Sequence, residues 1–354
     1  RLFYTGNNKS GGVKKSSQCL AVTEDGKTFQ KKGIVVSTPT EFTEHFRDPK
    51  VWQDGDDYYM VIGAQMKNGR GSVALCSSKD AENWKFELVL AKSKEYEMVE
   101  CPDYFQVDGQ GILLYCPQHR DNERDSSLCS FSAYKEFDFN DIVSGKIEDS
   151  NVQNLDEGRK KMDQGFDFYA PQTFETPAGR RILIGWAGVP DAEYSSNPTN
   201  EGWQHSLTVP RELRYHNGKI YQLPIRELGQ LRKKEILPEK ESYVLDNGCG
   251  ELIFDGIAAS SSAAICVQIG TGCSLSYEKG LVTLQFTDDS GAGRGKRVAR
   301  CEAVHKIQIL MDVSILEIYI NDGEIVMTSR IFFPEKDATV RFLGQAEMIQ
   351  AWQL

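Results

Sequence analysis

The feature that most constrains the fold is an internal repeat in the first half of the chain. Its three copies are marked by Asp48, Cys101 and Ala170, each of which stands directly before a proline. In each copy a short run of β-branched and aromatic residues leads through a tight turn into a second such run. The copies start about 50 to 70 residues apart, the length of a four-stranded propeller blade. The repeat therefore predicts an all-β chain that begins with a β-propeller.

The pattern changes after about residue 215. Residues 227–234 are polar and predict a short helix or linker. Beyond it, residues 317–327 alternate around an Asn-Asp-Gly turn, and residues 275–286 flank a Glu-Lys-Gly turn, so both segments predict hairpins. This second region predicts a β-sandwich. We expect a propeller domain at 1–225, a linker at 226–241 and a C-terminal sandwich at 242–354.

The opening segment, residues 2–6, matches the second strand of the repeat rather than the first. A propeller closes its ring because open blade edges expose unpaired backbone groups. We therefore expect that the printed sequence begins inside a blade and that the propeller is incomplete at its N-terminal end.

Composition excludes some classes of partner. The formal net charge of -10 argues against nucleic acid or an anionic membrane, and no run of 18 apolar residues is present. A neutral sugar fits this charge, whereas a phosphorylated one needs a local basic pocket. Residues 119–127 include two arginines and are a candidate for it, although a solvated loop is the simpler interpretation. The nine cysteines show no zinc or CxxC spacing, which predicts reduced thiols and a cytoplasmic protein.

Acidic residues recur at the equivalent first strand of each blade, which lines the channel of a propeller. Asp48 lies beside Arg47, Glu100 precedes Cys101, and a polar stretch covers 167–169. Converging carboxylates are what a glycosidase needs, because one acid protonates the leaving oxygen and another carboxylate attacks or stabilises the sugar cation.

Five segments then resemble glycoside hydrolase family 32, in the family's order and over essentially the whole chain. They are residues 46–49 (Phe-Arg-Asp-Pro), 100–103 (Glu-Cys-Pro-Asp), 165–172, 184–186 and 202–213. The resemblance implies a five-bladed propeller and a retaining hydrolase of terminal β-D-fructofuranosides, acting on sucrose or sucrose 6-phosphate. A fructan hydrolase, a fructosyltransferase and a non-catalytic sugar-binding propeller stay open as alternatives.

The same resemblance assigns the site residues. Glu100 is the implied acid/base and Asp48 the implied transition-state stabiliser. The implied substrate-binding residues are Arg47, Cys101, Asp103, Tyr169 and Trp186. Cys101 is equally well explained as a small buried side chain, and the two aromatic residues as part of a core.

The family's nucleophile belongs to an Asn-Asp-Pro-Asn-Gly motif that the 354 residues do not contain. We expect it upstream of Leu2, assign the role to no aspartate of this chain, and expect the isolated chain to be inactive. The resemblance implies no metal and no cofactor. A small sugar is the expected partner, and the sequence leaves a homodimer open.

Overall fold

The structure is a computed structural model that describes residues 1–119, 130–140, 152–190, 192, 194–195, 197–199, 202–259, 264–333 and 337–354. Of the basic loop at 119–127, all but His119 lies outside these residues. The chain forms two compact units, Arg1–Lys161 and Met162–Leu354. No helix among the described residues is long and apolar enough to cross a membrane.

The first unit consists of three sheets. Their strands are β1 Leu2–Ser10, β2 Val13–Val22, β3 Gln30–Ser37, β4 Phe42–Asp54, β5 Asp57–Met66, β6 Gly71–Ser78, β7 Lys85–Lys92, β8 Met98–Val107, β9 Gln110–Gln118, β10 Ala133–Glu136, β11 Gln153–Asn154 and β12 Lys160–Lys161. The strand orders are β1-β2-β3, β4-β5-β6-β7-β11 and β8-β9-β10-β12. All neighbours are antiparallel except β7 and β11.

The middle sheet of this unit is covered on both faces. Met60 and Ile62 of β5 belong to a core shared with β1 and β3, whereas Val61 between them belongs to a core shared with β8 and β9. Successive side chains of a strand point to opposite faces, so a strand buried on both sides is apolar throughout. This explains the uninterrupted apolar run of β5 and the stacking of sheets expected of propeller blades.

The second unit holds one further four-stranded sheet and two larger sheets. The four-stranded sheet contains β13 Tyr169–Glu175, β14 Arg181–Trp186, β15 Arg211–His216 and β16 Lys219–Pro224. The larger sheets contain β17 Ser242–Leu245, β18 Gly250–Ala259, β19 Ile265–Ile269, β20 Cys273–Glu278, β21 Leu281–Phe286, β22 Lys296–Arg300, β23 Val304–Asp312, β24 Ile315–Ile320, β25 Ile325–Arg330, β26 Ala338–Leu343 and β27 Met348–Gln353. Short 3₁₀ helices cover Arg226–Leu231, Asp246–Gly248 and Asp289–Gly291.

The two larger sheets form a sandwich. Their orders are β17-β26-β19-β20-β21-β22 and β25-β24-β23-β18-β27. Inward residues of both sheets, such as Leu252, Val267 and Ile309, share one apolar core. Both predicted hairpins are confirmed: Ile320 pairs with Ile325, and Glu278 pairs with Leu281. The predicted all-β class, with propeller blades before a sandwich, agrees with this architecture.

The boundary between the two compact units lies between Lys161 and Met162, well before the predicted linker at 226–241. The four-stranded sheet β13–β16 therefore belongs to the same unit as the sandwich. Strand β16 ends at Pro224 and β17 begins at Ser242. The division into domains at 1–225 and 242–354 stays a prediction, as does the number of blades.

One buried arginine links the four-stranded sheet to the sandwich within this unit. Arg211 on β15 is fully buried, and its guanidinium lies 2.6 Å from Glu317 of β24 and 2.6 Å from the Thr328 hydroxyl of β25. Asp163 accepts a further hydrogen bond from it at 3.2 Å, and the Tyr319 hydroxyl lies 3.1 Å from Nε. The charge is compensated on every side, so removing one partner leaves an uncompensated buried charge.

We expect Arg211→Ala to lower the free energy of unfolding by about 3 to 5 kcal/mol, because Glu317 and Asp163 lose their shared counter-charge in the interior. Urea unfolding followed by tryptophan fluorescence measures it. The matched control is Arg214→Ala on the same strand, whose side chain is half exposed and whose loss changes the free energy by less than about 1 kcal/mol. Equal effects of the two variants would contradict the prediction.

Candidate active site

In each copy of the repeat, the proline follows the same backbone distortion in the first strand of the copy, which is β4, β8 or β13. Asp48, Cys101 and Ala170 have φ angles of 64°, 48° and 48°, and the pairing register of β4, β8 and β13 shifts at these points. Each copy is therefore a β-bulge with a left-handed residue before proline. Such backbone costs a non-glycine residue about 1 to 3 kcal/mol and concentrates at functional sites.

The bulge changes where side chains point. In a regular strand neighbouring residues face opposite sides of the sheet. On β4 the consecutive side chains of Arg47 and Asp48 instead both reach β8, where they contact Glu100 and Cys101 respectively. Two adjacent residues of β4 thus contact two adjacent residues of β8.

Arg47 and Glu100 form the first cross-strand contact. Oε1 of Glu100 accepts hydrogen bonds from Nη2 of Arg47 at 2.5 Å and from Nε at 3.1 Å. The two side chains are 20% and 15% exposed, so the pair lies at an opening and not in the core. Nη1 of Arg47 lies 3.0 Å from Nδ1 of His45. The guanidinium therefore orients the carboxylate at a point that a ligand can reach.

Asp48 and Cys101 form the second contact. Oδ2 of Asp48 accepts hydrogen bonds from the Cys101 backbone N–H at 3.1 Å and from its thiol at 3.6 Å. Burial is the main cause that raises the pKa of Asp48, and the negative charge of Glu100 adds to it. The hydrogen bonds from Cys101 and the positive charge of Arg47 act in the opposite direction. Both predicted catalytic carboxyls thus belong to one electrostatically coupled cluster.

Two residues that the sequence did not single out hold the Asp48 bulge from β1 and β2. The Asp48 N–H donates to the Thr5 hydroxyl at 2.9 Å, and that hydroxyl donates to Oε1 of Gln18 at 2.9 Å. The fully buried Gln18 amide donates in turn to the carbonyl of Phe46 at 2.9 Å. The strained backbone is therefore fixed by contacts from distant parts of the chain.

Asp103 lies deeper than the other acidic residues of the cluster. Its side chain is 0% exposed, and Oδ2 accepts a hydrogen bond from Nζ of Lys50 at 3.1 Å. A buried carboxylate with a lysine partner is suited to holding β4 against β8. Contact between Asp103 and a substrate stays a prediction.

Tyr169 and Trp186 belong to the second unit. They are cross-strand partners with ring centroids 6.4 Å apart in an edge-to-face geometry, and Tyr169 is buried. Trp186 also meets the His205 ring edge-to-face at 5.0 Å. Its indole N–H is buried without a hydrogen-bond partner in the part of the chain that the structure describes. Sugar binding by these two rings stays a prediction.

In the polar stretch at 167–169, the acidic residue forms an ion pair in the protein interior. Asp167 is buried and accepts hydrogen bonds from the Arg294 guanidinium at 2.6 and 2.8 Å. The described ranges contain no group of three His, Cys, Asp or Glu side chains placed to hold a metal ion. No disulfide joins the cysteines within those ranges.

Comparisons of the sequence with family models and with known proteins all identify the same family. The model of the glycosyl hydrolases family 32 N-terminal domain matches residues 1–224, and that of the family 32 C-terminal region matches 275–352. The chain is 35% identical to the sucrose-6-phosphate hydrolase of Bacillus subtilis, covering 100% of this chain and 76% of that protein. It is 36% identical to the corresponding enzyme of Salmonella typhimurium, covering 97% and 72%.

Solved structures give the same result. The family 32 β-fructofuranosidase of Bombyx mori superposes with a TM-score of 0.83 at 26% identity, covering 100% of this chain and 76% of that one. The sucrose-6-phosphate hydrolase from Lactobacillus gasseri gives a TM-score of 0.82 at 23% identity, covering 100% and 75%, which supports the fold.

The raised pKa of Asp48 predicts a pH-dependent stability difference. The folded state holds this proton more tightly than the unfolded chain, so ionisation of Asp48 destabilises the fold as pH rises. We expect the free energy of unfolding of Asp48→Asn to exceed that of the wild type by an amount that grows as pH rises from about 3.5 to 7. At the acid end of this range, where Asp48 is protonated in both states, the difference should vanish. Urea unfolding across that range measures it.

Asp25 provides a control of opposite sign. Hydrogen bonds from the backbone of Thr28 and then Lys27 lower its pKa to about 2, so its ionised form stabilises the fold. Asp25→Asn should therefore lose stability at neutral pH, and the loss should shrink as pH falls through the acid range. A gain for Asp48→Asn that is independent of pH would contradict the role of burial.

Proposed function

The chain belongs to glycosyl hydrolase family 32, and we propose that it hydrolyses the terminal β-D-fructofuranosyl bond of sucrose or sucrose 6-phosphate with retention of configuration. The observation that carries this proposal is the pairing of Arg47-Asp48 with Glu100-Cys101 across two first strands. It brings two half-buried carboxyl groups together, and a glycosidase uses two such groups in different roles.

Relatives support the choice of substrate. Proteins named as sucrose-6-phosphate hydrolases, of Bacillus, Vibrio and Salmonella, match at 34% to 36% identity. A mutant of the Bombyx mori enzyme has been solved in complex with sucrose. Neighbours whose names refer to inulin or fructan are 16% to 18% identical and carry an argument for the fold alone. The fructan alternatives are therefore not favoured.

Glu100 acts as the general acid and then as the general base in this mechanism. Its carboxyl protonates the glycosidic oxygen as the fructosyl bond breaks, and later takes a proton from the attacking water. Arg47 holds Oε1 of Glu100 through its planar fork and is placed to exchange that contact for a fructosyl hydroxyl.

Asp48 stabilises the transition state. Its half-buried carboxylate accepts hydrogen bonds from fructosyl hydroxyls, and these strengthen as positive charge develops on the flattened ring. The Cys101 N–H and thiol hold Oδ2 in place meanwhile. Retention also needs a carboxylate nucleophile, and we assign that role to no aspartate of the printed sequence.

We further propose a cytoplasmic location, supported by nine cysteines without disulfide or metal spacing. Formation of a homodimer stays a prediction.

We expect Glu100→Gln to reduce kcat/KM, which reports the first, bond-breaking step, by about 10² to 10⁴ on sucrose and on sucrose 6-phosphate, measured on the complete gene product. The kcat/KM of a fructoside with an aryl leaving group should fall far less, because a stable phenolate departs without protonation. Glu95→Gln is the control, since that glutamate lies near Glu100 in sequence but is half exposed in a surface ion pair. Equal losses on both substrate types would contradict the acid role.

Calorimetry beside the activity measurement tests the non-catalytic alternative. A gene product that binds sucrose in calorimetry but hydrolyses neither sucrose nor sucrose 6-phosphate would favour a sugar-binding propeller. The ratio of kcat/KM for sucrose 6-phosphate to kcat/KM for sucrose measures the preference for the phosphorylated substrate.

A further inference from the structure

We propose that His45 is a positioning residue for the acid step, because its ring accepts a hydrogen bond from Arg47 and so keeps the guanidinium on the Glu100 carboxyl. The inference deepens the proposed function and rests on it for its meaning in catalysis, whereas the contact itself is a property of the folded chain. His45 lies outside the segments that resemble family 32, directly before residues 46–49.

Strand geometry points His45 and Arg47 in the same direction. Phe46 between them is 0% exposed and belongs to the apolar core that β4 shares with β5. Successive side chains alternate between the two faces of a strand, so residues 45 and 47 share the opposite face. Nη1 of Arg47 lies 3.0 Å from Nδ1 of His45, and the His45 side chain is 17% exposed. The imidazole thus lies directly beside the Arg47–Glu100 pair.

The chemistry of the two groups fixes the direction of this hydrogen bond. A guanidinium has only donors, so Nδ1 of His45 must supply the lone pair, and the neutral ring then carries its proton on Nε2. Oε1 of Glu44 lies 3.6 Å from Nε2, and its negative charge favours a proton at that nitrogen. A proton on Nδ1 would instead face an N–H of Arg47. The contact therefore selects one tautomer of His45.

The backbone that carries His45 is held apart from the regular ladder of β4. Pairing between β4 and β5 is interrupted over residues 43–45. The His45 N–H donates to the Thr43 hydroxyl at 3.2 Å, and the Glu44 carbonyl accepts a hydrogen bond from the buried Ser16 hydroxyl at 2.7 Å. The ring therefore projects from a segment that has its own anchors.

His45 engages the part of the guanidinium that Glu100 does not use. Nε and Nη2 of Arg47 donate to Oε1 of Glu100 at 3.1 and 2.5 Å, while Nη1 donates to His45. A second anchor limits the orientations that the planar fork of arginine can adopt. Glu100 must present its proton to the glycosidic oxygen within a narrow range of positions, so loss of the anchor should impair acid catalysis.

We expect His45→Leu, which has no acceptor, to lower kcat/KM on sucrose by about 10- to 100-fold in the complete gene product. A fructoside with an aryl leaving group should be affected far less, because its departure does not depend on the Glu100 proton. His45→Asn places its side-chain oxygen close to the position of Nδ1 and should recover most of the loss. The control is His305→Leu, an exposed histidine of the second unit, which should leave both substrates unaffected.

A role in folding alone would give a different result. His45→Leu would then lower kcat/KM equally for both substrates, and His45→Asn would recover nothing. Either outcome overturns the proposal, as does a His45→Leu protein with the kcat/KM of the wild type.

The tautomer of His45 provides a second measurement, which does not require the leucine variant to fold. The readout is the ¹⁵N chemical shifts of histidine-labelled protein at neutral pH, with His45→Asn identifying the resonances. We expect a protonated Nε2 and an unprotonated Nδ1, whose shift moves when Arg47→Met removes the donor. Arg70→Met, at an exposed arginine of the same unit, should leave that shift unchanged. A proton on Nδ1, or a shift that does not respond to Arg47→Met, overturns the proposal.

Together the two measurements separate this inference from the proposed function. A gene product without fructosidase activity whose His45 ring shows the expected shifts keeps the contact and removes the proposed function. A fructosidase whose activity does not respond to His45→Leu removes the positioning role alone.

Discussion

The arrangement of the site depends on a backbone conformation that proteins ordinarily avoid. A left-handed residue directly before proline conflicts with the preference of that position for extended backbone. In β4 this conformation is held by the hydrogen bond from the Asp48 N–H to Thr5, and behind it by Gln18 and the Phe46 carbonyl. Without it, Arg47 and Asp48 would face opposite sides of the sheet, and only one could reach β8.

The cluster balances two opposing demands on Asp48. Burial removes water, which strengthens every hydrogen bond that the carboxylate can make to a sugar but disfavours its charge. Arg47 and Cys101 offset this in different ways, one by charge and the other by donating hydrogen bonds. The Glu100 side chain keeps 15% of its surface exposed, so proton exchange with substrate and water is feasible there.

Local chemistry explains what the sequence could predict. The hairpins follow from turns such as Lys279-Gly280, where positive φ is needed at both positions. Glu100, Asp48 and Arg47 were found because short motifs carry them. Thr5, Gln18 and Lys50 were not, since their contacts come from strands far apart in sequence. The bulge itself was hidden because it opposes the usual preference before proline.

The third bulge carries alanine where the first two carry aspartate and cysteine. The fold of the strand therefore does not require a particular functional group at this point, only a main chain with the right bend. In β4 and β8 the bent main chain sets the direction of the side chain at the bulge, and the identity of that one residue sets its chemistry. A single replacement at such a bulge therefore changes the chemistry that the strand presents while the pairing of the strands stays the same.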